Sequence, residues 1–208
     1  MRIAVSSVLL CVLLTISAFA EDGTDGGKAF QEIAGRLAAP AVLRGNFTQA
    51  RTIALISRPL ESSGSFILSD MGLYWQQDKP LRSIMIADGE RLVQQFEDGP
   101  LQGIDTAQNP MVLTFSSSFL NIFRGSEAEL RSNFEIAVKR EGDLWTIGLA
   151  PTTYPMSEAI DSIILRGRAY IEELTVINRS SDKTMIRFSD LRTEPDQLTE
   201  NEIELYAR

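Results

Sequence analysis

Apolar and polar positions alternate in short runs along the first half of the chain. With a period of two, this alternation is typical of β-strands that bury one face. It predicts strands over residues 47–56, 65–68, 73–76, 83–87 and 92–96. Turn-forming pairs separate these runs, namely Arg58-Pro59, Ser63-Gly64, Met71-Gly72, Lys79-Pro80 and Asp88-Gly89. Short strands at regular spacing favour an antiparallel meander that curls toward a sandwich or barrel.

Strand-like runs return in the second half of the chain. They cover residues 134–139, 144–149, 162–165, 171–177 and 185–188. A hairpin turn is predicted around Gly142, and the poorly alternating residues 94–109 are predicted to form a loop or a sheet edge. The chain has no internal repeat, low-complexity tract or interdomain linker, so residues 21–208 are expected to form one domain.

Helical periodicity marks three further segments. Residues 28–39 place Phe30, Ile33, Ala34 and Leu37 on one face, and Pro40 marks the end of this helix. Short helices are predicted over residues 126–130 and from residue 199 to 205. Each begins with a capping-box spacing of Ser or Thr followed three residues later by Glu. The polar, Gly-rich residues 21–27 are expected to be disordered.

Residues 110–123 carry more apolar surface than one helical face needs. Their large apolar side chains are Met111, Leu113, Phe115, Phe119, Leu120, Ile122 and Phe123. A helix that is apolar nearly all round must be buried on several sides. We therefore predict a helix beginning near Pro110 that either plugs the mouth of the curved sheet or belongs to the core.

The first twenty residues have the pattern of a secretory signal peptide. Arg2 precedes an apolar run over residues 3–16, and Ala18-Phe19-Ala20 provides an A-x-A cleavage site. Cys11 lies inside this run, a position that does not favour lipid attachment. A retained N-terminal anchor is the alternative. Removing twenty residues from 208 would leave 188 and change the formal charge from −8 to −9, because Arg2 is lost.

The residue types that are missing exclude several classes of function. The chain has no His, which excludes Ser–His–Asp triads and the usual zinc sites. Without Cys11 the mature chain would have no thiol nucleophile, thiolate metal site or disulfide. An acidic chain with no basic run is a poor binder of nucleic acid. No cofactor and no metal is expected.

Carboxylate pairs are the remaining candidates for catalysis. Glu158 with Asp161, or Glu172 with Glu173, are pairs of the kind that a glycosidase uses. On a chain with 28 acidic residues, however, solvated surface is the simpler interpretation. The sequence therefore does not favour an enzyme.

Alternation also predicts which apolar side chains share a face. Leu73 and Trp75 fall on one face of their strand and Tyr74 on the other. Similar same-face pairs are Phe66 with Leu68, Ile84 with Ile86, Ile136 with Val138, and Ile163 with Leu165. The alternation leaves open whether these sets pack on one another or on a ligand.

An ordered series of motifs runs from residue 45 to residue 92. A G-x-F-x-Q strand is followed by a Gly-led strand, an aromatic run ending in Trp, a Pro turn, an apolar strand and a D-G-x-x-L hairpin. These are Gly45-Phe47-Gln49, Gly64-Phe66, Leu73-Tyr74-Trp75, Pro80, Ile84-Ile86 and Asp88-Gly89-Leu92. The series resembles the N-terminal half of the periplasmic lipoprotein-carrier family, the LolA type.

The resemblance implies a mainly β fold with helices (α+β), an unclosed antiparallel half-barrel whose helices lid an apolar cavity. It implies a periplasmic, monomeric carrier that takes acyl chains of a lipoprotein or another lipid from an inner-membrane donor transporter to an outer-membrane acceptor. The implied lipid-binding residues are Phe47, Phe66, Leu68, Leu73, Trp75, Ile84, Ile86, Leu113, Phe115, Phe119, Leu120 and Phe123.

Two features depart from the family pattern. The family usually has an Arg about six residues before the Trp, which hydrogen-bonds the lid, whereas this chain has Ser69 and Asp70 there. The chain also ends in an acidic helix where the family commonly has a strand and loop. A divergent paralogue with another acyl cargo is therefore one possibility. Two alternatives belong to other functional classes. One is a sensing module without transport, and the other is an outer-membrane-associated hydrolase.

Overall fold

The computed structural model describes residues 25–37, 40–88, 91–103, 120 and 127–207 of the chain. These residues include four helices, α1 (Asp25–Leu37), α2 (Glu127–Asn133), α3 (Met156–Ala159) and α4 (Glu200–Tyr206). Six strands precede α2: β1 (Leu43–Thr52), β2 (Leu60–Ser69), β3 (Gly72–Lys79), β4 (Ser83–Ala87), β5 (Leu92–Phe96) and β6 (Gln102–Gly103). Five strands follow it: β7 (Phe134–Glu141), β8 (Leu144–Pro151), β9 (Ile160–Gly167), β10 (Ile171–Asn178) and β11 (Lys183–Arg192).

The described strands form one antiparallel sheet in the order β6-β5-β4-β3-β2-β1-β11-β10-β9-β8-β7. Each half of the chain is a meander, and the pairing of β1 with β11 joins the halves, with Phe47 opposite Phe188. The strands at the two edges, β6 and β7, do not pair with each other. The predicted mainly β, unclosed half-barrel is therefore confirmed.

The inner face of the sheet is defined by the side chains that point toward α1, including Ile147, Leu149 and Leu165. Against them α1 places the four residues that its periodicity predicted, Phe30, Ile33, Ala34 and Leu37, all of which are buried. Leu130 of α2 joins the same cluster. The helices thus fill the inner face over β8 and β9.

Element boundaries differ from the prediction where turn residues lie inside strands. β4 and β5 have the predicted bounds, and the Gly142 turn is confirmed with a φ of +63°. Ser63-Gly64 is not a turn but lies within β2. Residues 53–56 leave β1 in a turn, in which the Ile56 amide donates to the Ile53 carbonyl oxygen at 2.9 Å. α1 begins at Asp25, so the disorder expected for residues 25–27 is wrong.

Other predictions concern residues outside the described ranges. Only Leu120 of the predicted helix over residues 110–123 is described, and it is buried in the main core cluster. The predicted signal peptide and Ser126 also lie outside the described residues. The final helix is confirmed, because Thr199 and Glu202 form the predicted capping box.

Gly64 is required by a close approach between β2 and β3. A Cβ atom at this position would lie 1.9 Å from the Gln76 carbonyl oxygen, which is backbone and cannot rotate away. The two strands pair through Ser65–Gln76 and Phe66–Trp75, with a register shift between Ser63 and Gly64. Glycine therefore permits the strand contact that places Trp75.

The C-terminal segment covers the outer face, the side of the sheet opposite α1. Tyr206 of α4 is buried against Tyr74, Ile84 and Ile86. Its hydroxyl donates to the Ile67 carbonyl oxygen at 3.0 Å and accepts from the Ser69 hydroxyl at 3.4 Å. On the outer face of β2–β4, the side chains under α4 are therefore shielded from solvent.

A buried ion pair fixes this segment to β1. Arg44 is only 4% exposed, and its guanidinium donates to both carboxylate oxygens of Glu202 at 2.6 and 2.8 Å. It also donates to the carbonyl oxygens of Pro195 and Gln197. Bidentate geometry and the extra acceptors offset the desolvation of the two charges.

Both partners of the pair, and the nearby tyrosine, have shifted pKa values. The hydrogen bonds from Arg44, together with those from Thr199, lower the pKa of Glu202 to about 2. The same bond raises the pKa of Arg44. Burial raises the pKa of Tyr206 to about 12.

We expect Gly64→Ala to destabilise the fold by about 2 kcal/mol, because β2 and β3 must separate to admit the methyl group. The measurement is the free energy of unfolding in urea. Gly35→Ala is the matched control. Gly35 lies in α1, and a Cβ atom added there would meet nothing within 4 Å. The control should stabilise the chain slightly, because Ala is the better helix former. Equal stability of the two variants would contradict the close approach.

We expect Glu202→Gln to lower the free energy of unfolding at pH 7 by about 3 kcal/mol. A carboxyl whose folded-state pKa is lowered stabilises the fold above its unfolded pKa near 4.5. That contribution is lost as the pH falls toward about 2. The difference between wild type and variant should therefore be largest above pH 4.5 and shrink toward pH 2. Glu204→Gln, an exposed change on the same helix, is the matched control and should change the free energy of unfolding at pH 7 little.

Candidate functional site

A cavity of about 800 Å³ lies on the inner face, beside the region that α1 fills. This volume is within the range of small-molecule sites. Its apolar lining comes from Leu73, Trp75, Met85, Ala87, Leu92, Met156, Ala159, Ile160, Leu174, Val176 and Ile186. Its polar lining comes from Gln49, Arg51, Gln77, Ser83, Gln94, Glu158, Asn178, Arg179, Ser180 and Thr184.

The polarity of the cavity changes along its strands. We call the end of the sheet that carries the connections 53–59, 80–82 and 179–182 the mouth end, and the opposite end the far end. Toward the far end the strands contribute buried apolar side chains, as with Leu73 and Leu174. Toward the mouth end the same strands contribute Gln77 and Asn178, which are partly exposed. The cavity is therefore apolar inside and polar where it opens.

Every strand of the wall contributes to this gradient. Going from the far end to the mouth end, the sequences of lining residues are Leu73-Trp75-Gln77, Ala87-Met85-Ser83, Leu92-Gln94, Leu174-Val176-Asn178 and Ile186-Thr184. At about 3.3 Å per residue, the stretch from Leu73 to Gln77 spans roughly 13 Å. On the side of α3 the cavity lining stays apolar near the mouth end, where Met156 and Ile160 contribute to it.

An aromatic cluster supports the wall beneath Trp75. The Phe47 and Trp75 rings stack with centroids 3.7 Å apart, and Phe66 and Phe188 contact Trp75 at 6.1 and 6.4 Å. Phe47 and Phe66 are nearly inaccessible to solvent. The stacking holds the indole of Trp75 in one orientation in the cavity wall.

The pairing of β3 with β4 corrects one part of the predicted site. Trp75 lies opposite Met85, and Tyr74 lies opposite Ile86. Met85 therefore shares the cavity face with Trp75, whereas Ile84 and Ile86 are on the outer face beneath Tyr206. The prediction that Ile84 and Ile86 line the cavity is wrong, because the register of β3 against β4 decides which face of β4 is inner, and alternation alone does not give that register.

The other predicted site residues divide into three groups. Leu73 and Trp75 line the cavity, and their contact with a lipid stays a prediction. Phe47, Phe66, Leu68 and Leu120 are buried in the core cluster that adjoins it. Leu113, Phe115, Phe119 and Phe123 lie outside the described residues, and their role stays a prediction.

Several lining residues have no counterpart in the predicted set. Met85, Leu174, Val176 and Ile186 are apolar residues on strands whose cavity face depends on pairing. The sequence predicts a strand over residues 171–177, which includes Val176. It does not show which face of that strand is the inner one. No sequence motif marks Arg51 or Arg179. Only the position of β1 next to the β10–β11 turn identifies them as lining residues.

Ser69, which replaces the family arginine, faces outward. It is 4% exposed and contacts Tyr206, as described above. Among the described residues, the buried arginine is instead Arg44, which binds the C-terminal segment on the outer face. The Ser69 hydroxyl therefore contacts α4, on the outer face of the sheet.

Three of the four acidic residues considered for catalysis, Asp161, Glu172 and Glu173, form ion pairs at the surface, and Glu158 lines the cavity. Glu172 accepts from Arg168 at 2.7 Å, and Glu173 accepts from Arg187 at 3.2 Å. Within the described part of the chain, no group of three or more potential ligands is placed to hold a metal ion. The described helices are all too short or too polar to span a membrane.

Comparison with known proteins gives relatives over most of the chain. Outer-membrane lipoprotein carrier proteins of Pseudomonas putida are 23% identical, over 183 residues in strain GB-1 and 172 in strain KT2440. These matches cover 86% and 80% of this chain, and 82% and 79% of the relatives. A structure from Vibrio parahaemolyticus, described as an outer membrane lipoprotein-sorting protein domain, has the same fold. Its TM-score is 0.51 at 10% identity, over 90% of this chain and all of that one.

The family model for outer membrane lipoprotein carrier protein LolA matches residues 40–200, which run from the start of the first meander into α4. This interval contains every strand of the sheet and all of the cavity lining. The chain therefore belongs to the LolA family.

Proposed function

We propose that this protein is a periplasmic carrier that binds the acyl chains of a lipoprotein or another lipid in its cavity and delivers them toward the outer membrane. The polarity gradient of the cavity carries this proposal. An apolar interior with a polar opening is complementary to an amphiphile whose tail enters first and whose head remains in water.

The energetics of acyl transfer explain why such a cavity is useful. Each methylene of an acyl chain contributes about 0.8 kcal/mol to membrane binding. A chain of roughly sixteen carbons therefore faces about 12 kcal/mol on entering water, which makes unaided transfer slow. Burial against Leu73, Trp75 and Val176 removes most of this cost while the lipid crosses an aqueous compartment.

The family supports the choice of cargo. The two Pseudomonas relatives are named outer-membrane lipoprotein carrier proteins, and their matches span most of both chains. Lipoprotein acyl chains are therefore the first cargo to test. The predicted signal peptide over residues 1–20 supports a periplasmic location, with residues 21–208 as one carrier domain.

Donor and acceptor are proposed to meet the mouth end. Within the described residues, six of the eight large apolar side chains that are exposed lie there. They are Leu55, Ile56, Leu60, Leu81, Phe96 and Tyr154. Exposed apolar side chains around a cavity opening are typical of a surface that touches a membrane or a partner. We propose an inner-membrane transporter as donor and an outer-membrane receptor as acceptor.

The proposed carrier needs no catalytic residue. Transfer of an acyl chain between apolar sites breaks no covalent bond, and differences in affinity drive it. Glu172 and Glu173, one of the carboxylate pairs considered above, are engaged in surface ion pairs, which fits solvated surface better than acid–base chemistry.

We expect Met85→Glu to weaken binding of an uncharged acyl amphiphile about tenfold or more, because an unpaired carboxylate in the apolar part of the cavity is costly. Binding is measured by displacement of a neutral fluorescent probe with monopalmitin. Met85 is preferred to Leu73 because it is half-buried and its substitution disturbs less of the core.

Ile177→Glu is the matched control. Ile177 is also half-buried in a strand, but it faces outward and lies opposite Lys183, which can pair with the new carboxylate. This variant should bind like wild type. Unchanged binding in a folded Met85→Glu variant would contradict the proposed cavity.

A transfer assay distinguishes a carrier from a sensing module. The protein is loaded with a fluorescent diacylated lipopeptide and mixed with acceptor vesicles. A carrier should hand over the lipopeptide at a rate that rises with acceptor concentration. Retention on the protein in the presence of excess vesicles would favour the sensing module.

A further inference from the structure

We propose that the mouth end contains a subsite for an anionic headgroup, formed by Arg51 and Arg179, so that the preferred cargo is an acyl lipid bearing a phosphate or carboxylate. This inference rests on the proposed function, because it describes the polar part of an amphiphile whose tail lies in the cavity. It adds a chemical class of headgroup to that function.

The two arginines come from elements that the sheet brings together. Arg51 is near the end of β1 and lies opposite Thr184 of β11. Arg179 is the first residue of the turn that leads into β11. The Ala54 amide donates to Asp182 of that turn at 3.2 Å, which ties the β1 end to it. Both guanidinium-bearing residues line the same opening.

The present partners of these arginines are weak enough to be exchanged. Arg51 lies 3.9 Å from the carboxylate of Asp182, and Arg179 lies 3.8 Å from that of Asp161. Both guanidinium side chains are about half exposed, at 48% and 58%. Exposed pairs of this length contribute little, about 0–1 kcal/mol. A headgroup anion can therefore replace the carboxylates at small cost.

Polar groups of both kinds lie near the two arginines. Gln49 and Asn178 line the cavity two residues before Arg51 and one residue before Arg179. Glu158, the acidic residue found in the described lining, is in α3 next to Ser157, the residue that Arg179 contacts. Guanidinium groups bind phosphate and carboxylate through paired N–H donors, which gives both affinity and orientation.

The Arg179 side chain is also partly positioned. Its Nε donates at 3.1 Å to the carbonyl oxygen of Ser157, which is a residue of α3. This bond holds the guanidinium against α3. An anionic head bound there would close the opening above a tail that lies along Val176 and Trp75.

The test compares two amphiphiles that share the palmitoyl glycerol part, palmitoyl lysophosphatidic acid and monopalmitin. Only the first of them carries a phosphate group. Each displaces a neutral fluorescent probe from the purified protein, below its critical micelle concentration. We expect the phosphate-bearing lipid to bind about tenfold more tightly. This preference should shrink at high salt, because the site is exposed. Inorganic phosphate alone should displace no probe, which separates a lipid headgroup from a free anion site.

The variants assign the preference to this corner of the opening. Arg51→Gln with Arg179→Gln should reduce the preference to about twofold or less while leaving monopalmitin affinity unchanged. Arg166→Gln with Arg187→Gln removes the same charge from exposed outer-face positions of β9 and β11 and should leave the preference intact.

Three outcomes would overturn all or part of the inference. Equal binding of the two lipids by wild type would overturn the anionic subsite and leave the acyl carrier intact. An equal loss of preference in both double variants would mean that only overall charge matters. Failure of both lipids to displace the probe would instead contradict the proposed function.

Discussion

The register of β3 against β4 determines what the cavity is made of. With Trp75 opposite Met85, the side chains of Leu73, Trp75 and Met85 face inward. With β3 in place, a slip of β4 by one residue would replace Met85 on the inner face with Ile84 and Ile86. Both faces are buried against different partners, since Phe47 stacks on Trp75 from within and Tyr206 packs on Tyr74 from outside. The hairpin is therefore held in register from two sides.

This two-sided support allows part of the inner face to remain open. The inner face over β8 and β9 is filled by α1, so a continuous core exists without help from the cavity. Around the cavity, stability comes instead from the outer face, where Arg44, Glu202 and Tyr206 fix α4 behind the cavity wall. A cavity lined by Leu73 and Val176 can then bind and release an apolar ligand without unfolding the sheet that surrounds it.

Local patterns in the sequence predicted the elements well, and non-local pairings limited the prediction of the site. The apolar face of α1 and the capping box at Thr199 depend on residues close in the chain, and both are confirmed. The face of Ile84 depends on the exact length of the β3–β4 connection, which alternation does not give. The bond between Arg44 and Glu202 joins residues 158 positions apart, and the local capping-box signal at Glu202 does not indicate Arg44 as its partner. Arg51 and Arg179 likewise become neighbours only through the pairing of β1 with β11.

The direction of the polarity gradient has a consequence for how an acyl chain leaves the cavity. On the proposed function, moving a fully buried tail of about sixteen carbons from the cavity into water would cost roughly 12 kcal/mol of free energy. Release of the lipid into solution would therefore be negligible. The tail must pass directly into another apolar phase. On the proposed function it would enter and leave past Gln77 and Asn178, at the end of the sheet where Leu55 and Leu81 are exposed. Binding the head near Arg51 places it at the same end, so head and tail can reach an acceptor together without the protein opening its far end.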